Sequence, residues 1–287
     1  MKTKLFLLVC LFLGIGFTQL YSQKSSVQEG YTILGYPSQV VDKMNGKVEK
    51  VVLKFYWTVI SGDKITKGKH ISNRERDSLR WFYDYEVTFD RIGDHLITYR
   101  TLDNESNPYM KYVFERSNDK IVSSRWTYAK ERNMQGFRYP KGDGYSKFFL
   151  DDKGYMVGSE DYSAVDNSLL YRFTSKNNEA GDEIEGQGFD NKGNLIQKWT
   201  TSYNDKRQVI EGNWSGSDGV IAGSYSNVYN DKGKITEVTN YDKDKKVKMV
   251  HYYSYPEYDV KGNWLQVVYK NSIGQSVLCE RTITYFK

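Results

Sequence analysis

Alanine is nearly missing from this chain of 287 residues: four are present (Ala129, Ala164, Ala180 and Ala222) against 25 tyrosines. Alanine is the strongest helix former, whereas tyrosine, valine, isoleucine and threonine suit a pleated, half-buried surface. The shortage argues against a helical bundle and against an α/β enzyme built on alanine-rich helices. Cysteine is as scarce, limited to Cys10 and Cys279. Histidine occurs only at His70, His95 and His251, far apart and without an HExxH motif, which argues against a zinc site. No G-x-S-x-G nucleophile elbow is present. Gly142 and Gly144 lack the Lys-Ser/Thr ending of a phosphate cradle. The acidic turns around Asp151 and Asp190 lack the closing glutamate of an EF-hand and each contains a lysine. These absences assign no catalytic residue, no metal ligand and no cofactor. Forty-one basic residues face 36 acidic ones, a balance that makes no case for nucleic acid or an anionic membrane.

The first 22 residues have the form of a signal peptide. Lys2 and Lys4 precede an apolar run from Leu5 to Phe17, and Leu20-Tyr21-Ser22 before Gln23 offers a cleavage site. The run is shorter than the roughly 20 residues of a transmembrane helix, which favours cleavage over the alternative of an uncleaved anchor helix. Cys10 lies within it and leaves with the signal, so Cys279 is the one cysteine of the mature chain and no internal disulfide forms. Cys279 falls in an alternating segment, where a packed and inert thiol is expected. The chain is therefore expected in the periplasm, at the cell surface or secreted.

A turn recurs along the chain. An aromatic residue is followed by Asp or Asn with Lys and Gly, and then by an apolar residue that restarts an alternating run. The copies run from Phe149 through Gly154 to Met156, Phe189 through Gly193 to Leu195, Tyr229 through Gly233 to Ile235, and Tyr258 through Gly262 to Trp264. Weaker copies run from Phe89 to Gly93, Tyr203 to Arg207 and Tyr241 to Lys246. Asp or Asn opens a type I turn by bonding its own backbone, and Gly supplies the left-handed residue of the bulge that follows. Gly154, Gly193, Gly233 and Gly262 are thus structural turn residues. Between turns the period is two: Val51, Leu53, Phe55, Trp57 and Val59 alternate with more polar neighbours. Aromatics on both faces, mixed with Lys, Glu and Thr, point to a sheet without a second layer over one face.

The fold class is all-β: an antiparallel meander of repeated hairpins, partly single-layer or an open twisted sheet. Residues 24–135 are expected to form an irregular antiparallel segment, 136–145 a linker or loop, and 146–287 the hairpin repeats, with one continuous sheet as the alternative to separate units. Ser72 and Glu75 outline a capping box before either two turns of helix over 74–80 or a charged loop, since only Leu79 offers an apolar anchor there.

The segment Tyr258-Asp259-x-Lys261-Gly262-Asn263-Trp264, followed by Glu280-Arg281-x-Ile283-x-Tyr285, resembles the repeat ending of exported YD/RHS-like proteins of Gram-negative bacteria. The copies around Gly154, Gly193 and Gly233 share the style, and the resemblance covers 146–287. Glu185 to Gly188 and Glu211 to Trp214 are also similar to MORN repeats. The resemblance implies an antiparallel β scaffold rather than a conserved reaction. The toxin shell built by large RHS proteins does not carry over to a chain this short.

The function expected is that of an exported, non-enzymatic β-repeat protein with an interaction or cell-envelope structural role. Its partner is an unidentified protein or glycan of the envelope, with edge strands open to self-association by β-augmentation. Trp214, Trp264 and Tyr258 are the aromatic candidates for binding. The alternative is a divergent carbohydrate-active enzyme using strand-borne carboxylates, with Glu211, Glu237 and Glu280 beside Trp or Tyr. Cross-strand pairing with lysine accounts for the same glutamates without catalysis.

Overall fold

The computed structural model describes residues 44–61, 64–72, 75, 84–89, 96–102, 108–117, 120–134 and 137–287. The signal segment 1–22 with Cys10, the helix or loop expected over 74–80 apart from Glu75, Gly93 and His95 lie outside the described residues. The strands are β1 (Val48–Ser61), β2 (Lys64–His70), β3 (Asp84–Phe89), β4 (Leu96–Leu102), β5 (Pro108–Ser117), β6 (Lys120–Tyr128), β7 (Arg132–Met134), β8 (Phe137–Tyr139), β9 (Gly142–Leu150) and β10 (Met156–Ser163). They continue as β11 (Leu169–Asn177), β12 (Glu183–Asp190), β13 (Leu195–Tyr203), β14 (Val209–Gly216), β15 (Ile221–Tyr229), β16 (Ile235–Asp242), β17 (Val247–Tyr258), β18 (Trp264–Asn271) and β19 (Ser276–Tyr285).

Seventeen of these strands form one sheet, and β7 and β8 form a hairpin of their own. Consecutive strands from β9 to β19 pair antiparallel in an unbroken meander. The expected all-β meander of hairpins is what the chain forms. Its two ends meet on β1. One edge of β1 pairs with β19 from Val48↔Tyr285 to Trp57↔Val277. The other edge pairs with β3 over Lys50–Leu53 and with β2 over Tyr56–Ser61. Pairing from β3 through β6 to β9 completes a circuit that leaves only β2 as a side branch. The sheet is a single layer, and no described strand lies over its outward face. The edge strands expected to be open for self-association reduce, among the described residues, to β2, the far end of β1 and the small β7–β8 hairpin.

Alternation sets the two faces. Val51, Leu53 and Phe55 are buried and Lys54 is exposed, as the period of two requires. The inward face carries large rings: Trp126, Trp199, Trp214 and Trp264 retain 2, 2, 9 and 0% of their exposure. Burying a Phe-sized side chain contributes about 2–3 kcal/mol. Room for the rings comes from glycine directly across the ladder. Trp126 faces Gly144, Trp199 faces Gly186, Tyr225 faces Gly212 and Trp214 faces Gly223. A Cβ on any of these four glycines would sit 2.0–2.2 Å from the facing ring. Each ring covers the facing glycine, which restores the packing that a strand glycine forfeits.

The turns form as their sequence requires. In the Gly193 copy the Asp190 carbonyl accepts the Gly193 N–H, and the Asp190 carboxylate accepts the N–H groups of Lys192 and Asn194. Gly154, Gly193, Gly233 and Gly262 take φ of 84, 84, 74 and 81°. In the weaker copies Arg207 and Lys245 occupy the same left-handed position at φ 61°. Two further copies, ending at Gly181 and Gly274, close in the same way.

Residues 136–145, expected to be a linker or loop, instead contain β8 and the start of β9, and Tyr139 is 1% exposed. The glycines and proline there allow a sharp return rather than a separation. β6 pairs with β9 across the insertion, so the earlier and later segments share one sheet. The β7–β8 hairpin seats on the inward face. Phe137 packs edge-on to Tyr171 with centroids 5.0 Å apart, and Tyr139 packs edge-on to Trp126 at 5.5 Å. The capping box is present: the Ser72 N–H donates to the Glu75 carboxylate, and the Ser72 hydroxyl accepts the Glu75 N–H.

Candidate functional site

The aromatic binding candidates split on burial. Trp214 and Trp264 are core residues rather than surface platforms, because both lie on the inward face. Trp264 is fully buried beneath the Arg281 guanidinium, 3.7 Å from its ring. Tyr258 is half-buried, with the Lys232 ammonium 4.5 Å over its ring. The three glutamates of the alternative reading lie on the outward face, on separate strands. Glu280 pairs with Lys67 at 2.6 Å, Glu211 with Lys245 at 3.4 Å, and Glu237 accepts from Thr239 at 3.0 Å. Two of the three thus meet lysines of other elements, while Glu237 bonds two residues along its own strand, contacts that suit a wet sheet face.

The titratable groups inside serve packing. His251 has no exposure; its Nε2 faces the Asn240 amide and its Nδ1 the Tyr269 hydroxyl, both at 2.7 Å. Burial pulls its pKa down to about 4, so the ring is neutral at neutral pH. Asp161 is 2% exposed and accepts the Tyr139 hydroxyl at 2.6 Å. Burial raises its pKa to about 6 despite that bond, which favours the ionised form. His70 pairs with Asp84 at 2.7 Å, and Asp84 also accepts the Phe55 N–H. Cys279 is buried and its thiol is pushed up by desolvation, as expected of a packed residue. Among the described residues no three His, Cys, Asp or Glu side chains gather as a metal site.

Among the described residues, a concave surface lies outside, across β5, β6 and β9. It is a groove of about 720 Å³. Its side chains alternate with buried inward neighbours such as Tyr112, Trp126 and Ser146. The pairing registers arrange them in three cross-strand rows. Lys111, Thr127 and Asp143 form the first, Val113, Arg125 and Tyr145 the second, and Glu115, Ser123 and Lys147 the third. Thr127 donates to Asp143 at 2.7 Å, Ser123 donates to Glu115 at 2.7 Å, and Arg125 Nε lies 2.9 Å from Glu115. Arg125 keeps 72% side-chain exposure. Tyr145 stacks on Tyr162 of β10, with centroids 5.0 Å apart and planes 11° from parallel. Because β10 flanks β9 on the side away from β6, the other face of Tyr145 turns into the groove. The Lys147 ammonium stands 5.0 Å from the Tyr162 centroid and 5.9 Å from that of Tyr145. Gly144 and Trp126 lie in the floor.

The groove is a mixed lattice of donors, acceptors and one aromatic face, able to hold a polar ligand by several hydrogen bonds at once. Sequence reasoning missed it. Its rows depend on β6 pairing with β9 across the inserted hairpin, a contact that no local pattern announces. The alternation of Ser123, Arg125 and Thr127 was its one visible trace.

No protein-family model matches the chain, and no curated protein matches it. Among solved structures, the chain is similar to a porin-like protein from Bacteroides uniformis at 10% identity and a TM-score of 0.52, covering 84% of this chain and 98% of that one. A porin-like protein from Bacteroides vulgatus aligns at 11% identity and a TM-score of 0.38, over 83% of this chain and 98% of that one. The first likeness concerns the fold alone.

Proposed function

We propose that this chain is an exported β protein of the cell envelope that works in water, as a binding or scaffolding module rather than as a pore or an enzyme, with the outward groove as its binding face. The observation that carries the reading is the polarity of the sheet. A strand-built membrane span presents an apolar band about 25 Å tall to lipid and polar residues to its interior. Here the order is reversed. The inward face holds Trp126, Trp199, Trp264 and Tyr225, with the β7–β8 hairpin seated on it. The outward face of β11 shows exposed Arg172, Thr174 and Lys176. Glu185 of β12 and Lys198 of β13, diagonal neighbours across the ladder, come together at 3.2 Å. Charges at these positions would be costly against lipid. Among the described residues, no helix is long and apolar enough to cross a membrane.

The N-terminal signal pattern supports export, and the YD/RHS-like turns support a scaffold role. The test is fractionation of cells expressing the whole chain. The expected product begins at or near Gln23 by mass spectrometry, is released without detergent and stays monodisperse in detergent-free buffer. A product that only detergent extracts would overturn the polarity argument, and an uncleaved cytoplasmic product would overturn export.

A further inference from the structure

We infer that the groove over β5, β6 and β9 takes an acidic carbohydrate, an oligosaccharide carrying carboxylate or sulfate groups; this rests on the reading that the groove is the binding face. Three observations carry it. The first is the shape and chemistry of the lining. Apart from Val113 and Ala164 its outward side chains are polar or aromatic, which suits a ligand covered in hydroxyls better than an apolar peptide side chain. A volume of this size accommodates roughly two or three sugar rings.

The second is Tyr145. Its back is held by the stack with Tyr162, so the face toward β6 is presented at low entropic cost. A sugar ring carries polarised C–H groups on its flat side, and an aromatic face, negative at its centre, attracts them. A stack of this kind orients the ring while its hydroxyls reach sideways. There Asp143 and Glu115 accept hydrogen bonds, and Thr127 and Ser123 offer hydroxyls already aligned by those carboxylates.

The third is the placement of charge. Arg125 is engaged with Glu115. Lys111 and Lys147, at opposite corners of the lattice, have no carboxylate within 4 Å among the described residues; Glu160, which faces Lys147 on β10, is held by Arg172 at 2.7 Å. Strand spacing puts them on the order of 15 Å apart, two strands across and four residues along. Two cations at that separation, flanking hydrogen-bonding rows, suit acid groups on neighbouring or alternate sugars. Carboxylates and sulfates accept charge-assisted hydrogen bonds from ammonium and guanidinium groups, about twice as strong as neutral ones.

The test measures binding of the mature full-length chain by calorimetry. The probes are uronic-acid, sialylated and sulfated oligosaccharides, the carboxyl-reduced or desulfated counterpart of each, and an oligoglutamate peptide of matched charge. At least one acidic sugar is expected to bind, with its neutral counterpart at least tenfold weaker. The affinity is expected to fall as salt rises. Lys147→Gln and Lys111→Gln are each expected to weaken binding about tenfold, and Tyr145→Ala to weaken it while leaving the salt dependence intact. Lys176→Gln, exposed on β11, is the control. Aromatic circular dichroism and melting of every variant verify folding. Equal binding of acidic and neutral sugars would overturn the charge assignment. Oligoglutamate bound as tightly as any sugar, or no acidic sugar bound, would overturn the carbohydrate assignment and leave the binding face standing. Envelope capture that is unchanged in Lys147→Gln, Lys111→Gln and Tyr145→Ala would remove the binding face itself.

Discussion

Asp161 and His251 are both buried, and their ionisation acts on stability in opposite directions. The folded pKa of Asp161, about 6, lies above its ordinary value of 3.8. Its contribution is therefore full at low pH and is lost as pH rises toward 6. The folded pKa of His251, about 4, lies below its ordinary 6.5. Its contribution is full above 6.5 and is lost as pH falls toward 4. Each displacement corresponds to about 3 kcal/mol, so between pH 4.5 and 6.5 the two slopes largely cancel. Urea unfolding of the wild type is expected to vary little across that window. Asp161→Asn is expected to leave the His251 slope exposed, with stability rising by about 2–3 kcal/mol from pH 4.5 to 6.5. A variant profile parallel to the wild type would show that Asp161 does not titrate there. The candidate site was partly legible at this scale: the sequence singled out aromatics and strand-borne glutamates, but not which face each occupies. Trp264 and Tyr145 are both aromatic residues in alternating runs; one is core and the other lines the groove.

At the scale of the element, two glycines with the same chemistry have different duties. Gly193 turns the chain at φ 84° with nothing within 4 Å of a Cβ, so Gly193→Ala faces only the backbone penalty. That is expected to cost about 1 kcal/mol. Gly186 lies beneath Trp199, where a Cβ would stand 2.1 Å from the ring. Gly186→Ala is expected to cost about 3 kcal/mol, because an inward ring must move within a packed layer. Thermal melting separates the two, and equal shifts would contradict the ring-over-glycine account. The turn glycines were legible because their signal is local: Asp, Lys and Gly within five residues carry the whole bond pattern. The strand glycines were not, since their partners are set by register. Gly186 and Gly212 sit in the MORN-like stretches, and their common role emerges only across the ladder.

For the whole molecule the decisive element is β1, which joins both ends of the meander. Val52 lies between Thr282 of β19 and Glu86 of β3. Proline there removes a donor from a strand paired on both sides, so Val52→Pro is expected to cost at least about 3 kcal/mol and to broaden the unfolding transition. Ile60, 55% exposed on the arm shared with β2, is paired on one side only among the described residues. Ile60→Pro is expected to cost markedly less in the same urea titration. Comparable losses at the two positions would argue that β1 does not join the ends of the sheet.

The sequence by itself determined the all-β class, the hairpin meander and the positions of the principal turns. Each follows from short-range chemistry: alternation of period two, side-chain bonds to nearby backbone, and a glycine in left-handed conformation. Tertiary structure alone decided that the ladder returns to β1, that 136–145 folds onto the inward face, and that Trp214 and Trp264 are core. It also decided that Lys111, Arg125 and Lys147 share one groove. Those facts depend on pairings between distant residues, as in Leu53↔Arg281. A strand pattern specifies which side chains share a face, but not which neighbour pairs with its edge. That choice is made by the packing of rings over glycines, summed around the sheet.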